Sequence, residues 1–466
     1  MDVLFDVPRD GGLRSGIEQG LRTAIREGRL AAGSVLPSTR ALAAELGVAR
    51  GTVVEAYGQL VSEGYLVARQ GAPTRVAAAP GRTTASTEPE AAGAAYRFDL
   101  RPGAPDPDAF PLTEWVAAIR RVARTLPGEA TGYGDGRGRI ELRVALADYL
   151  ARARGVAADP ERIVVCSGFT LGVGLVLGAL RRGGVRRVGM EDPGLAPHRE
   201  VVRDALGDGG EVVPVAVGDS GVEIEAVRAA DPDAVLVTPA HQYPLGVAMS
   251  AGRRAELIAW ATEHGRFVIE DDYDGELRYD RQPVGALQGL APGRVAYVGT
   301  ASKSMAPGLR MGWVVLPEEL VGPVSDLKRY RETVPVLDQL AMADLIASGR
   351  FERLLRKRRQ EYRRRRDLFV RTVGEAAPWV TVRGLAAGLN AVLELPAGGP
   401  GEQEALTVLR RRSVAVTGLR SHWHGAETAR RFPGIVVAYG RPRGHEAAAA
   451  FRALGEGLRE VAAGGA

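Results

Sequence analysis

Only three of the 61 basic residues are lysines: Lys303, Lys328 and Lys357. Where a chain this rich in arginine keeps a lysine, an amine is called for that a permanently protonated guanidinium cannot replace. Lys303 stands in GTASKSMAPGLRMGW, flanked by Ser302 and followed by Pro307, Gly308 and Arg310. Ser302 and Arg310 are suited to holding a phosphate. In RFVIEDDYD an apolar run leads into Asp271 and Tyr273, which strand alternation puts on one face. The turn in VVCSGFTLG offers the backbone N–H groups of Gly168, Phe169 and Thr170 at a helix start, a ready anion site. Together these are the groups that pyridoxal phosphate requires: an amine for its aldehyde, a carboxylate for its ring nitrogen, a phenol for its ring oxygen and a cradle for its phosphate. A carboxylate beside the nitrogen keeps it protonated, which makes the ring an electron sink. Singly, each residue has another reading. Asp271 and its neighbours suit a solvated strand end, Lys303 a surface loop, and Arg310 an ion pair. Their occurrence together, in this order, favours a cofactor site with Lys303 as its catalytic amine.

A second constellation lies near the N-terminus, in LPSTRALAAELGVARGTVVEAYGQLVSEGYL. A helix that enters the major groove needs a turn that sets its angle, an apolar back and short polar or basic residues at its start. Ser38 is a plausible N-cap for a helix over 39–46, Gly47 supplies the turn, and a third helix is expected from Arg50 to Glu63. Val53, Ala56, Tyr57, Leu60 and Val61 form its apolar face. Arg40 and Arg50 can pair with phosphates or guanine edges, and Thr52 can meet a phosphate or a thymine methyl. A small helical bundle packing on the same face is the other reading, since nine arginines face eight acids within residues 1–80.

The elements that must position these groups follow from composition and periodicity. With 466 residues and 45% hydrophobic content the chain is expected to form two or three folding units. Leu13, Ile17, Leu21 and Ile25 have helical spacing, and Tyr65–Val67 with Thr74–Val76 suit a hairpin around 70–73. Residues 78–96 turn to Ala, Pro, Gly, Thr, Ser and Glu without period, the composition of a linker of about 25 Å root-mean-square span. Beyond it, apolar runs at 163–165, 234–237 and 267–269 alternate with helical stretches, which predicts an α/β domain over 97–466 with a mainly parallel sheet and a smaller α+β subdomain from about 345.

The net charge of +5 and pI near 9.4 are compatible with nucleic acid without requiring it. A single cysteine, Cys166, excludes an intramolecular disulfide framework and fits a reducing compartment. No basic-then-apolar leader opens the chain, and the run from Val164 to Leu180 is broken by Ser167, Thr170 and glycines, so a cytoplasmic protein without a membrane span is expected. His422 and His424 straddle Trp423 without further ligands nearby and are taken as ordinary residues, with no metal site. The ten basic residues between Arg350 and Arg366 suit a solvated helix face or a contact with DNA.

The run from Leu21 to Val76, with GRL, LPSTR, LAAELGV, RGTV and EGYL, closely resembles the GntR winged helix-turn-helix. That resemblance implies DNA contacts at Arg40, Arg50 and Thr52 and a wing near Gly71, where Gly-Ala-Pro replaces the usual glycine-rich turn. From Phe98 to Leu458, the motifs YGDGRG, SGFTLG, EDPG, TPAHQYPLGV, EDDYDGELRY and SKSMAPGLRMGW resemble fold-type I aminotransferases. The order of domains is that of the MocR (GabR-like) subfamily of GntR regulators. The resemblance implies Lys303 as the Schiff-base lysine, Asp271 on the pyridine nitrogen, Tyr273 on the ring oxygen and Arg310 on the phosphate. It also implies a homodimer in which Tyr133 comes from the partner subunit, and it sets His241, Gln242 and Tyr243 where aminotransferases place an asparagine near the ring oxygen.

Two functions compete: a regulator that senses a small molecule through its cofactor domain, and a working aminotransferase with an appended DNA-binding domain. A complete winged helix and a linker favour the regulator, since catalysis needs neither. The arginine that usually binds a substrate carboxylate is expected in GIVVAYG, where Val436 stands instead. Leu195 replaces an aromatic after EDPG, and Pro197 falls near the position of a second arginine in a relative that senses a γ-amino acid. The expected effector is pyridoxal phosphate or a small amine or amino acid; the missing groups favour pyridoxal phosphate itself, with weak or absent transamination, unless Arg441 or Arg443 folds back to serve as the missing partner.

Overall fold

The computed structural model describes residues 12–69, 71–77, 96–279, 284–329, 334–384, 387–424 and 432–464. The chain folds as two compact units, residues 1–94 and 95–466. Of the expected linker only Tyr96 lies among the described residues.

In the first unit α1 (Leu13–Arg26), α2 (Thr39–Leu46) and α3 (Arg50–Ser62) precede a two-stranded ribbon of β1 (Leu66–Val67) and β2 (Arg75–Val76). The ribbon is antiparallel, with Leu66 opposite Val76. Ile17, Leu21, Leu42, Val53, Ala56, Tyr57, Leu60, Leu66 and Val76 share one core. The apolar positions of each helix therefore meet on one side and leave the start of α3 outside. Val61, expected in that core, is only partly buried at its margin.

The second unit opens with β3 (Phe98–Asp99), α4 (Leu112–Arg124) and α5 (Ile140–Arg154), and then builds a sheet of eight strands. Its members are β4 (Ile163–Cys166), β5 (Arg187–Asp192), β6 (Glu211–Gly218), β7 (Gly221–Val222), β8 (Ala234–Val237), β9 (Phe267–Asp272), β10 (Val295–Thr300) and β11 (Gly312–Val315). Their order is β4-β11-β10-β9-β8-β5-β6-β7. The run β10-β9-β8-β5-β6 is parallel, while β11 is antiparallel to both its neighbours and β7 to β6. Helices α6 (Phe169–Arg182), α7 (Ala196–Leu206), α8 (Ile224–Ala230) and α9 (Ala251–Glu263) connect successive strands, as parallel pairing demands. Strands β4, β8 and β10 are buried along their whole length, which is why they read as continuous apolar runs.

After α10 (Glu318–Lys328) and α11 (Val336–Ala347), the 27-residue α12 (Arg350–Ala376) leads to a second sheet. That sheet has the order β12 (Thr381–Arg383), β13 (Ala391–Glu394), β16 (Gly434–Val437), β15 (Thr417–Gly418). Between β13 and β15 come α13 (Glu402–Arg411) and β14 (Val414–Ala415), the latter pairing with β3, and α14 (Ala447–Gly464) ends the described chain. A core of Tyr362, Phe369, Leu393, Leu409, Ile435, Tyr439 and Phe451 binds this sheet to α12, α13 and α14. No helix of the described residues is long and apolar enough to cross a membrane.

Candidate functional site

The parallel strands end in loops on one edge of the large sheet, where an α/β sheet forms its binding crevice. A cavity of about 350 Å³ opens there, and Phe169, Tyr243, Asp271, Tyr273, Ser302 and Lys303 line it together. Alternation at the end of β9 sets this up. Asp271 and Tyr273 face the cavity, while Asp272 points to the other side and is held by Arg154 (2.7 Å) and the Tyr297 hydroxyl (2.7 Å). Those bonds fix the strand end from behind and so fix Asp271.

Asp271 is buried, its Oδ1 has no hydrogen-bond partner, and its Oδ2 lies 3.9 Å from His198 Nδ1. Burial, then the charges of Asp272 and Asp274, push its pKa well above the usual carboxylate range. An unpartnered buried carboxyl is costly, and a cationic ring nitrogen would both satisfy it and restore its charge. His198 stacks on Phe169 at 4.1 Å between ring centroids, and burial, then the charge of Lys303, hold its pKa down at about 4. It is therefore no competing cation for Asp271 at neutral pH.

Lys303 donates a hydrogen bond to the Gly103 carbonyl across the cavity. Burial lowers its pKa, against the opposing pull of Asp274 and Asp271, so more of the amine is in the nucleophilic neutral form than in an exposed lysine. Thr300 bonds the Ser302 hydroxyl at 2.8 Å and also lines the cavity. Gly168 caps α6 at φ 112°, and a Cβ on Gly312 would come within 2.9 Å of its Cα, so that close approach seats the turn against β11. Thr170 and Arg310 line an adjoining cleft with Ser167 and are not on the wall of the Lys303 cavity. Arg310 is exposed, in left-handed backbone at φ 47°. Tyr133 is also away from the cavity and fully exposed at 108%.

His198, Asn390, Thr417 and Ser421 line the cavity and escaped the sequence reading, as did four further wall residues. Glu191 lines the cavity with its Oε1 unpartnered, and burial raises its pKa to about 7 while the Thr238 hydroxyl opposes the rise. Thr238 lines the cavity beside it. His422, taken as an ordinary residue, is a wall residue whose Nε2 lies 3.0 Å from the Tyr243 hydroxyl. Thr300 had a signal, since it precedes Ser302 by one strand period; the other three come from distant segments and had none. Gln242 turns away to the Pro193 carbonyl (2.8 Å), and His241 bonds Asp274 (2.8 Å) and Tyr273 (3.1 Å) behind the wall.

The groups considered for a substrate carboxylate fall clearly. Leu195 and Pro197 are on the cavity wall. Val436 is buried in an apolar cluster with Val217, Leu245, Val392 and Leu419. Arg441 pairs with Asp99 at 2.7 Å and Arg443 with Asp108 at 3.6 Å, and neither reaches the cavity. Among the described residues no arginine lines it.

In the first unit Ser38 Oγ accepts from Ala41 N (3.1 Å) to cap α2, and Gly47 ends it in left-handed backbone at φ 65°. That turn sends α3 off with Arg50 exposed and Thr52 half-exposed. Arg40 is exposed on α2, and neither arginine makes an ion pair among the described residues. Gly71 lies at the exposed end of the ribbon at φ 79°.

Residues 13–76 match the family model described as bacterial regulatory proteins of the gntR family, and residues 99–423 match aminotransferase class I and II. The HTH-type pyridoxine biosynthesis transcriptional regulator PdxR of Corynebacterium glutamicum is 33% identical over 437 residues, covering 91% of each chain. The probable rhizopine catabolism regulatory protein MocR of Rhizobium meliloti is 33% identical over 416 residues, 84% of this chain and 83% of that one. Among solved structures, an archaeal alanine:glyoxylate aminotransferase superposes with a TM-score of 0.68 at 24% identity, covering 78% of this chain and 91% of the other, a likeness of fold. The chain belongs to the MocR subfamily of GntR-type regulators, in which a winged helix-turn-helix is joined to an aminotransferase class I and II domain.

Proposed function

We propose that the chain is a transcription regulator that binds duplex DNA through residues 1–77 and senses pyridoxal phosphate itself through residues 97–466, acting as a homodimer in the cytoplasm. The observation that carries this reading is the cavity wall, which holds an amine and an unpartnered carboxyl but, among the described residues, no guanidinium. Without one, an incoming amino acid forgoes a charge-assisted bond worth about 1.5–3 kcal/mol, and nothing fixes its reacting atoms. The relative PdxR, a pyridoxine biosynthesis regulator by name, supports the same effector class.

The residues present fit the cofactor. Asp271 would hold the proton on the ring nitrogen, Tyr273 and Tyr243 would face the ring oxygen, and Phe169 would lie along the ring. Ser302 and Thr300, on the cavity wall, would hold the phosphate beside the start of α6 at Phe169, while Arg310 and Thr170 line a separate cleft and would have to turn toward it. When bound, pyridoxal phosphate supplies an aldehyde carbon for the Lys303 amine and an electron-withdrawing ring. His198 and the apolar wall at Leu195 and Pro197 restrict water near that amine.

Titrating the purified protein with pyridoxal phosphate and then with a panel of common amino acids, followed by visible absorption, tests this. The cofactor should develop a band that millimolar amino acids leave unchanged. Spectral shifts with keto-acid release would instead favour a working aminotransferase.

A further inference from the structure

The basic run of α12 is one-sided. Phe351, Leu355, Tyr362, Phe369 and Val373 are buried against the core. On the opposite side Arg353, Arg356, Lys357, Arg363, Arg364 and Arg371 are exposed. With 3.6 residues per turn these six fall within an arc of about 120°, and between Arg353 and Arg371 the only acid in that arc is Asp367. The acids that flank the arc are engaged elsewhere, Glu352 with Arg152 at 3.1 Å and Glu361 with the buried Arg365 at 2.8 Å. Arg353, Arg356, Lys357 and Arg363 make no ion pair among the described residues, and Arg364 approaches Glu361 only to 3.7 Å. A face that served solubility alone would intersperse the two signs. This one keeps its cations together, with acids of another segment, Asp108 and Glu114, sharing a cleft with Lys357 and Arg364 at one edge.

We propose that the exposed face of α12 is a second, sequence-independent contact for the phosphate backbone of duplex DNA. From Arg353 to Arg371 the strip is about 27 Å long at 1.5 Å per residue. It thus runs beside roughly eight base pairs, each adding two phosphate charges per 3.4 Å of axis. Charge complementarity selects the partner, and the same chain already delivers it. One chain carries both contacts, so DNA bound through the first unit gives α12 an effective concentration of duplex set by the covalent connection alone, and an interaction too weak to recruit DNA by itself becomes populated. The inference rests on the DNA-binding reading of the first unit.

Its test uses the full chain and a 60-base-pair mixed-sequence duplex, with affinity measured across a salt series. One variant carries Arg353→Gln, Arg356→Gln, Lys357→Gln and Arg363→Gln, chosen because glutamine keeps helix propensity. A control carries Arg120→Gln, Arg124→Gln, Arg228→Gln and Arg459→Gln, exposed arginines on other helices with the same total charge change. Each phosphate left without its cation lowers the slope of log K against log salt by about 0.9, so the α12 variant should lose about 2 to 4 in slope and the control almost none. The pyridoxal phosphate absorption of both should match the parent, which reports an intact second unit. A parent that binds while the α12 variant keeps its slope overturns this inference alone, as does an equal fall in the control. A parent with no salt-dependent binding overturns the DNA-binding reading and this inference with it.

Discussion

At the scale of single residues the cavity is defined by what its groups lack. Among the described residues Asp271 has an oxygen without a partner, and the Lys303 amine is bonded only to a carbonyl that a ligand can displace. Lys303→Ala should abolish the borohydride-trapped cofactor adduct, read as a mass increase on the peptide containing residue 303. A surviving adduct would move the reactive amine to Lys328 or Lys357. The winged helix should be unaffected, because its core contains none of the cavity residues. The chemistry was legible in the sequence where residues sit close together: Asp271 and Tyr273 share a strand face, and Ser302 adjoins Lys303. Glu191, Thr238 and His422 were not legible, since they reach the wall from β5, the end of β8 and the segment after β15. Nothing local distinguishes a buried glutamate or histidine in sequence from an exposed one.

Among elements, the α2-turn-α3 unit was readable because its determinants are local: the Ser38 cap, the left-handed Gly47 and the apolar period of α3. The same geometry leaves Arg50 without an ion pair among the described residues at the start of α3. If Arg50 reads a base edge, Arg50→Ala should weaken binding to a specific duplex selected by the chain from a random-sequence library by about 1–3 kcal/mol. Binding to a mixed-sequence duplex should change little, as measured by mobility shift at fixed salt. An equal loss on both would make Arg50 a backbone contact. Sheet order was not readable, because β11 enters between β4 and β10 antiparallel to both, a choice made by pairing across more than a hundred residues. Nor did the sequence settle Arg441 and Arg443. Their partners Asp99 and Asp108 lie over three hundred residues earlier, and only folding brings β3 beside β14.

For the whole molecule, the proposed function calls for a homodimer and for a coupling between DNA binding and the cofactor site. Tyr133 is fully exposed, so its side chain is free to enter a neighbouring subunit, as the resemblance to aminotransferases implies. Light scattering at micromolar concentration should therefore give twice the chain mass of 49.4 kDa with cofactor bound. Tyr133→Ala should weaken cofactor retention while leaving Lys303 in place, and a monomer would contradict the shared site. Coupling is the central claim. On this reading the ligand acts by changing DNA affinity, and an effector's influence is typically 1–3 kcal/mol, about 5- to 150-fold. The decisive measurement is the affinity of the full chain for a specific duplex selected by the chain from a random-sequence library, taken with and without saturating pyridoxal phosphate at fixed salt, beside Lys303→Ala under the same conditions. Coupling predicts at least about a fivefold change in the parent and none in the variant; equal affinities in the parent with and without the cofactor would contradict it.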